Sequence, residues 1–132
     1  MSKLVYSRDN DVITYYRDDG SNYPYPCHHD FEEGVNDEGV ARATLPNGTY
    51  TATAEPYPAE DSKPYGRTYI DTGDSRGRVV HGGGSGCSDP FAPHQDLLPT
   101  YGCLRMYNVD GEELSRLIIE DGNGVPFTVE DW

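Results

Sequence analysis

Short runs with a period near two dominate the first part of the chain. Lys3 to Tyr6 and Asp11 to Tyr16 set Val5, Val12, Ile13 and alternate tyrosines as packing positions, which predicts two strands joined by the turn-forming Ser7-Arg8-Asp9-Asn10. Asp18-Asp19-Gly20-Ser21-Asn22 supplies the next turn, so a meander is expected. The pattern then breaks. Residues 23–40, with Pro24, Pro26, Cys27, His28, His29 and a short acidic run, read as irregular. Ala41 to Leu45, Pro46-Asn47-Gly48 and Thr49 to Ala54 predict a hairpin, because Asn-Gly tolerates the positive φ of a tight turn. A Pro-rich acidic loop covers 55–64. Arg67 to Ile70 and Arg78 to Val80 predict two further strands around Asp71-Thr72-Gly73-Asp74.

One segment changes period. Leu114, Leu117 and Ile118 fall at i, i+3 and i+4, which predicts an amphipathic helix. Asn108 is its expected N-cap, with Glu112 and Glu113 near the positive end of the dipole. Gly122-Asn123-Gly124 ends it, and Val125 to Val129 is the last predicted strand. No internal repeat interrupts this order, and 132 residues suit one domain, since domains run to roughly 100–150 residues. A single mainly β domain over 1–132, with one helix near its C-terminus, is the expectation.

Composition sharpens that picture. Fifteen Gly and ten Pro suit short strands and many turns, and eleven Tyr suit half-buried sheet faces where a ring packs and its hydroxyl stays wet. The net charge of −13 argues against a phosphate-backbone partner, which needs clustered Lys and Arg, and against anionic membrane surfaces, so no nucleic-acid partner is expected. No apolar run reaches the roughly 18 residues of a membrane span, so no membrane insertion is expected. Met-Ser-Lys-Leu-Val-Tyr lacks the apolar stretch of a secretory leader. Cytoplasmic residence, export without a cleaved leader, or a trimmed leader all stay open.

The chemistry concentrates late in the chain. An apolar strand delivers His81, a glycine-rich loop spans 82–99, and Gly102-Cys103 precedes the helix-bearing segment. A thiol attacks as thiolate and needs a base or a positive environment; histidine suits that role at neutral pH. Glycine before the sulfur lets substrate approach the backbone. Other constellations are weaker. Cys27-His28-His29-Asp30 are metal-ligand types without ligand spacing, so no metal and no cofactor are expected. His81-Gly82-Gly83-Gly84 lacks the nucleophile elbow a lipase-like hydrolase requires. Cys27 and Cys87 are either a disulfide or two reduced thiols.

Thr100-Tyr101-Gly102-Cys103-Leu104-Arg105-Met106, followed by Asn108-Val109-Asp110, resembles the signature of the L,D-transpeptidase (YkuD-like) catalytic domain. Val79-Val80-His81-Gly82 looks like its upstream half, and Leu45-Pro46-Asn47-Gly48-Thr49-Tyr50 is similar to the family's Thr-Pro-x-Gly-x-Phe hairpin. The resemblance implies a mixed β-sandwich with its helix packed on the sheet. It makes Cys103 the acyl-forming nucleophile and His81 its general base and acid. Gly82 is the small residue after the histidine, and the N–H groups of Gly102 and Cys103 form the oxyanion hole. Thr100 and Tyr101 line the site, and Arg105 holds a substrate carboxylate or braces the motif. Tyr101 departs from the family, which usually has a second histidine there, and the loop carrying Cys87 and His94 is longer than usual.

The implied partners are peptidoglycan stem peptides, cut or exchanged at an L-to-D bond through a thioester, in the periplasm or cell wall. With no visible leader, a further expectation is an antibacterial effector delivered by a route such as type VI secretion and countered by an immunity protein. The rival reading from another class is a non-catalytic module that grips cell-wall glycopeptide or a protein on the same fold.

Overall fold

The computed structural model describes residues 2–29, 34, 35, 39, 41, 43–55, 68–83, 89, 91–95, 97, 100 and 102–131. Among these, eight strands and one helix run in the order β1 (Lys3–Ser7), β2 (Val12–Tyr16), β3 (Asn22–His28), β4 (Gly48–Ala54), β5 (Tyr69–Asp71), β6 (Val80–His81), β7 (Leu104–Met106), α1 (Asn108–Glu120) and β8 (Val125–Glu130). The strands close on themselves as β1-β2-β3-β7-β6-β5-β4-β8, with β8 returning to β1. This closed barrel replaces the expected two-layer sandwich. Parallel pairing at β1 with β8 and at β6 with β7 makes the closure, the remaining neighbours being antiparallel. Closure removes the exposed edges that an open sheet would have to protect.

Alternation decides which side chains fill the core. In β1 and β2, Leu4, Tyr6, Ile13 and Tyr15 are fully buried. They join Cys27, Leu45, Ile70, Val80, Leu104, Met106 and Phe127 in a cluster completed by the helical stripe Leu114, Leu117 and Ile118. The predicted stripe is thus the helix's buried face. Cys27 is a free thiol inside this core, so it is not half of the disulfide considered with Cys87; Cys87 itself lies outside the described residues.

Two sequence expectations fail for identifiable reasons. Residues 22–28 are a strand, although Pro24 and Pro26 interrupt the pattern. The Cys27 N–H donates to the Asp11 carbonyl, so odd-numbered residues of β3 bond β2 and the two prolines turn the opposite way. On that side β7 pairs only with Cys27 and His28 and then ends, so the missing N–H groups cost no ladder bond. The predicted hairpin does not form either. β4 pairs with β8 and β5, while the carbonyls of Ala43 and Thr44 accept from Arg78 Nη1 at 3.0 and 3.1 Å. Arg8 Nη2 takes the Leu45 carbonyl. Guanidinium groups thus meet the carbonyls of this segment, while the Leu45 N–H donates to the Gly102 carbonyl.

Candidate functional site

β6 and β7 lie side by side in parallel, with Val80 level with Leu104 and His81 level with Arg105. Val80 and Leu104 face the core, so His81, Arg105, Val79 and Cys103 share the other face. The strand pair thereby brings the two residues singled out from the sequence onto one surface of adjacent strands, one spacing of about 4.8 Å apart and offset by two residues along them. Cys103 sits just before β7, partly exposed, with its Sγ accepting from the Val79 N–H at 3.4 Å. The Leu104 N–H donates to the Val79 carbonyl, extending the ladder to Cys103.

The turn delivering Cys103 is tightly specified. Thr100 Oγ1 donates to the Cys103 carbonyl at 2.7 Å and accepts the Gly102 N–H at 3.1 Å. That N–H, one of the two expected oxyanion donors, is therefore already engaged. Gly102 has φ +128°, and a Cβ there would lie 2.5 Å from the Ala43 carbonyl and 3.0 Å from Arg78 Cδ. Only glycine fits. Arg78 is held in turn by Asp74, whose carboxylate accepts from its N–H, Nε and Nη2 at 2.9–3.1 Å. Arg78 falls in the predicted strand 78–80, and no local signal marks it as the brace behind Gly102.

His81 is 3% exposed. Its Nδ1 lies 2.6 Å from the Gly82 carbonyl, so Nδ1–H donates there and Nε2 carries the lone pair. Burial pushes its pKa down to about 4; the bond to Gly82 opposes that and the charge of Arg105 adds to it. The imidazole is thus neutral at physiological pH. Burial also raises the Cys103 thiol, only partly offset by the Val79 N–H, Arg78 and Arg105. The resting state is a neutral thiol and a neutral imidazole, not a preformed thiolate–imidazolium pair.

Arg105 is 2% exposed and stands in register between His81 on β6 and His28 on β3, which favours bracing as its resting role. Tyr101 lies outside the described residues. His94 is exposed, with its ring edge-on to Tyr107 at 5.2 Å. At the former metal candidate, Cys27 is in the core while His29 Nδ1 meets Tyr6 Oη at 2.9 Å and Asp11 at 3.2 Å, so the two do not converge.

The helix start completes the site in a way the sequence reading missed. Tyr107, not Asn108, is the N-cap, and it makes no side-chain capping bond. The loop caps the helix instead: the Asn108 N–H donates to Gln95 Oε1 at 2.8 Å and the Val109 N–H to the Pro93 carbonyl at 3.1 Å. Asn108 is fully buried, its Oδ1 accepting the Gly83 N–H at 3.0 Å and its Nδ2 donating to the Ala92 carbonyl at 2.7 Å. A Cβ on Gly82 would lie 2.2 Å from that Oδ1, and one on Gly111 would lie 1.9 Å from Thr68 Oγ1. The run of glycines after His81 is the available clue that another group packs against that backbone.

No family profile matches this sequence, and no curated protein matches it. Solved structures do. The helical cell shape determining protein Pgp2 from Campylobacter jejuni superposes with a TM-score of 0.62 at 14% identity over 98% of this chain, and a mutant form of it with 0.63 at 16%. An L,D-transpeptidase from Xylanimonas cellulosilytica DSM 15894 superposes with 0.57 at 18% identity over 97% of this chain. The chain spans about half the length of these structures, 47% of Pgp2 and 59% of the transpeptidase. At such identity the likeness establishes the fold: this chain has an L,D-transpeptidase-like, YkuD-like architecture. Among the described residues no helix is long and apolar enough to cross a membrane.

Proposed function

We propose that this chain is a cysteine-dependent acyltransferase or hydrolase of peptidoglycan stem peptides, acting as one catalytic domain in the periplasm or cell wall. The observation that carries the reading is the shared face of β6 and β7. It holds Cys103 and a neutral His81 whose Nδ1 is tied to Gly82, inside a fold shared with an L,D-transpeptidase.

Nε2 of His81 takes the thiol proton as the sulfur attacks the carbonyl carbon of an L-to-D peptide bond. The oxyanion is met by the N–H of Cys103. Collapse breaks the C–N bond, the imidazolium protonates the leaving amine, and a thioester remains. Water or an acceptor amine then attacks that thioester, its proton passing through His81. Positioned acid–base help contributes about 10²–10⁴-fold and one oxyanion donor about 10²–10³-fold. At rest Cys103 Sγ accepts from the Val79 N–H, and the approach of His81 across the two-residue offset is made when substrate binds.

The test is incubation of the protein and of Cys103→Ala with purified muropeptides, followed by mass analysis. Loss of a terminal D-residue, its exchange, or dimer formation is expected for the natural chain and none for the folded variant. Wild-type turnover by Cys103→Ala overturns the assignment. The raised Cys103 thiol favours one second reading, a glycopeptide-gripping module, for which the same incubation gives binding with unchanged masses. Delivery as an effector with an immunity partner belongs to the first reading: toxicity should follow periplasmic, not cytoplasmic, expression.

A further inference from the structure

We propose that Asn108 is a positioning residue that aims His81 through the peptide unit joining Gly82 to Gly83. The carbonyl of that unit accepts from His81 Nδ1 at 2.6 Å, and its N–H donates to Asn108 Oδ1 at 3.0 Å. A peptide unit is planar, so fixing its N–H fixes the direction of its carbonyl. The carbonyl in turn selects the imidazole tautomer and ring orientation, leaving Nε2 as the basic nitrogen.

Asn108 can serve as a fixed reference because it is itself over-determined. It is fully buried, its Nδ2 is bound to the Ala92 carbonyl and its N–H to Gln95 Oε1. Gln95 Nε2 returns to the Met106 carbonyl at 2.8 Å, so the reference is anchored to β7, the strand that follows the nucleophile. The same residue thus ties the base-bearing turn to the strand beside Cys103. Gly82 has no side chain because a Cβ would occupy the place of the amide oxygen, and Gly83, at φ +38°, makes the turn that presents its N–H.

The catalytic half of this inference rests on His81 being the base; the structural half does not. The experiment therefore reads the imidazole first. In the full ¹⁵N-labelled chain, with His81 assigned by His81→Gln, the ring should be protonated at Nδ1. Asn108→Ala should relax it to a mixture of tautomers, and Asn108→Asp, which keeps the acceptor, should restore the Nδ1–H form. Gln95→Leu, which cuts the loop tether without touching the peptide unit, should leave the tautomer as it is. On muropeptides, Asn108→Ala should lower kcat about tenfold or more with KM little changed, and Asn108→Asp should recover most of it. An Nε2-protonated ring in the natural chain overturns the proposal, as does a wild-type tautomer in Asn108→Ala or equal relaxation in Gln95→Leu. If Asn108→Ala does not fold, Asn108→Asp and Gln95→Leu decide: relaxation in either overturns it. Absent turnover in the natural chain would sink the functional reading alone, since the tautomer still answers for Asn108.

Discussion

The two ends of α1 are held by opposite kinds of chemistry. At the C-terminal end, Asp121 collects Arg17 Nη2 at 2.7 Å and Nε at 3.2 Å, the Tyr15 hydroxyl at 2.7 Å and the Ser2 hydroxyl at 2.9 Å. These donors, Arg17 foremost, hold its carboxyl down at about 2, and Tyr15 is pushed up to about 12 by burial and that bond. At the N-terminal end, Asn108 and Gln95 supply neutral amides, and the nearby His81 is kept neutral by burial. A charge saturated with donors makes a stable anchor and a poor proton carrier. A neutral imidazole whose Nδ1 donates to a backbone carbonyl keeps its basicity at Nε2, a form suited to move a proton.

Gly82→Ala should produce the largest effect on this contrast. Its Cβ would meet Asn108 Oδ1 at 2.2 Å, so overpacking should cost about 1–3 kcal/mol and displacement of the His81 turn should lower muropeptide turnover about 100-fold. Denaturant melts beside turnover assays check both; full activity would mean the turn does not set the base. Asp121→Asn should come next, losing about 1–2 kcal/mol because Arg17, Tyr15 and Ser2 lose a charged acceptor. Its turnover per folded molecule should stay at the natural level, and a large drop would show that the ends are coupled.

Acid should also separate the ends, because each group withdraws its contribution over its own pH range. His81 is lowered from its unfolded value, so the stability its neutrality contributes is complete above about pH 6.5 and is lost as pH falls toward 4. Asp121 is also lowered, so its contribution is complete above about pH 4 and is lost as pH falls through about 2. Unfolding free energy measured from pH 7 to 2 should therefore show two limbs. His81→Gln should flatten the upper limb and Asp121→Asn the lower; one curve for all three proteins would refute the division.

Legibility in the sequence tracked how local each signal was. The meander, the helical stripe and the last strand depend on neighbouring residues, and β1, β2, α1 and β8 fall where period and turn residues place them. β3 was obscured because proline is a warning only where an N–H is needed, and which side of a strand needs one depends on its neighbours. The hairpin at Asn47-Gly48 was a sound local inference defeated by Arg78 and Arg8, which lie far away in sequence. At the site, His81, Cys103 and Gly102 were visible through residue type and motif. Asn108 was noticed for the wrong role, because a cap and a buried bridging amide look identical in sequence.

By itself the sequence determined a mainly β chain with one amphipathic helix and the position of its candidate nucleophile and base. Only the tertiary structure decided that the strands close into a barrel and that β6 and β7 run parallel with His81 and Cys103 on one face. It alone decided that both groups rest neutral. Periodicity is set by adjacent residues, whereas register, burial and protonation are set by what the rest of the chain brings against them.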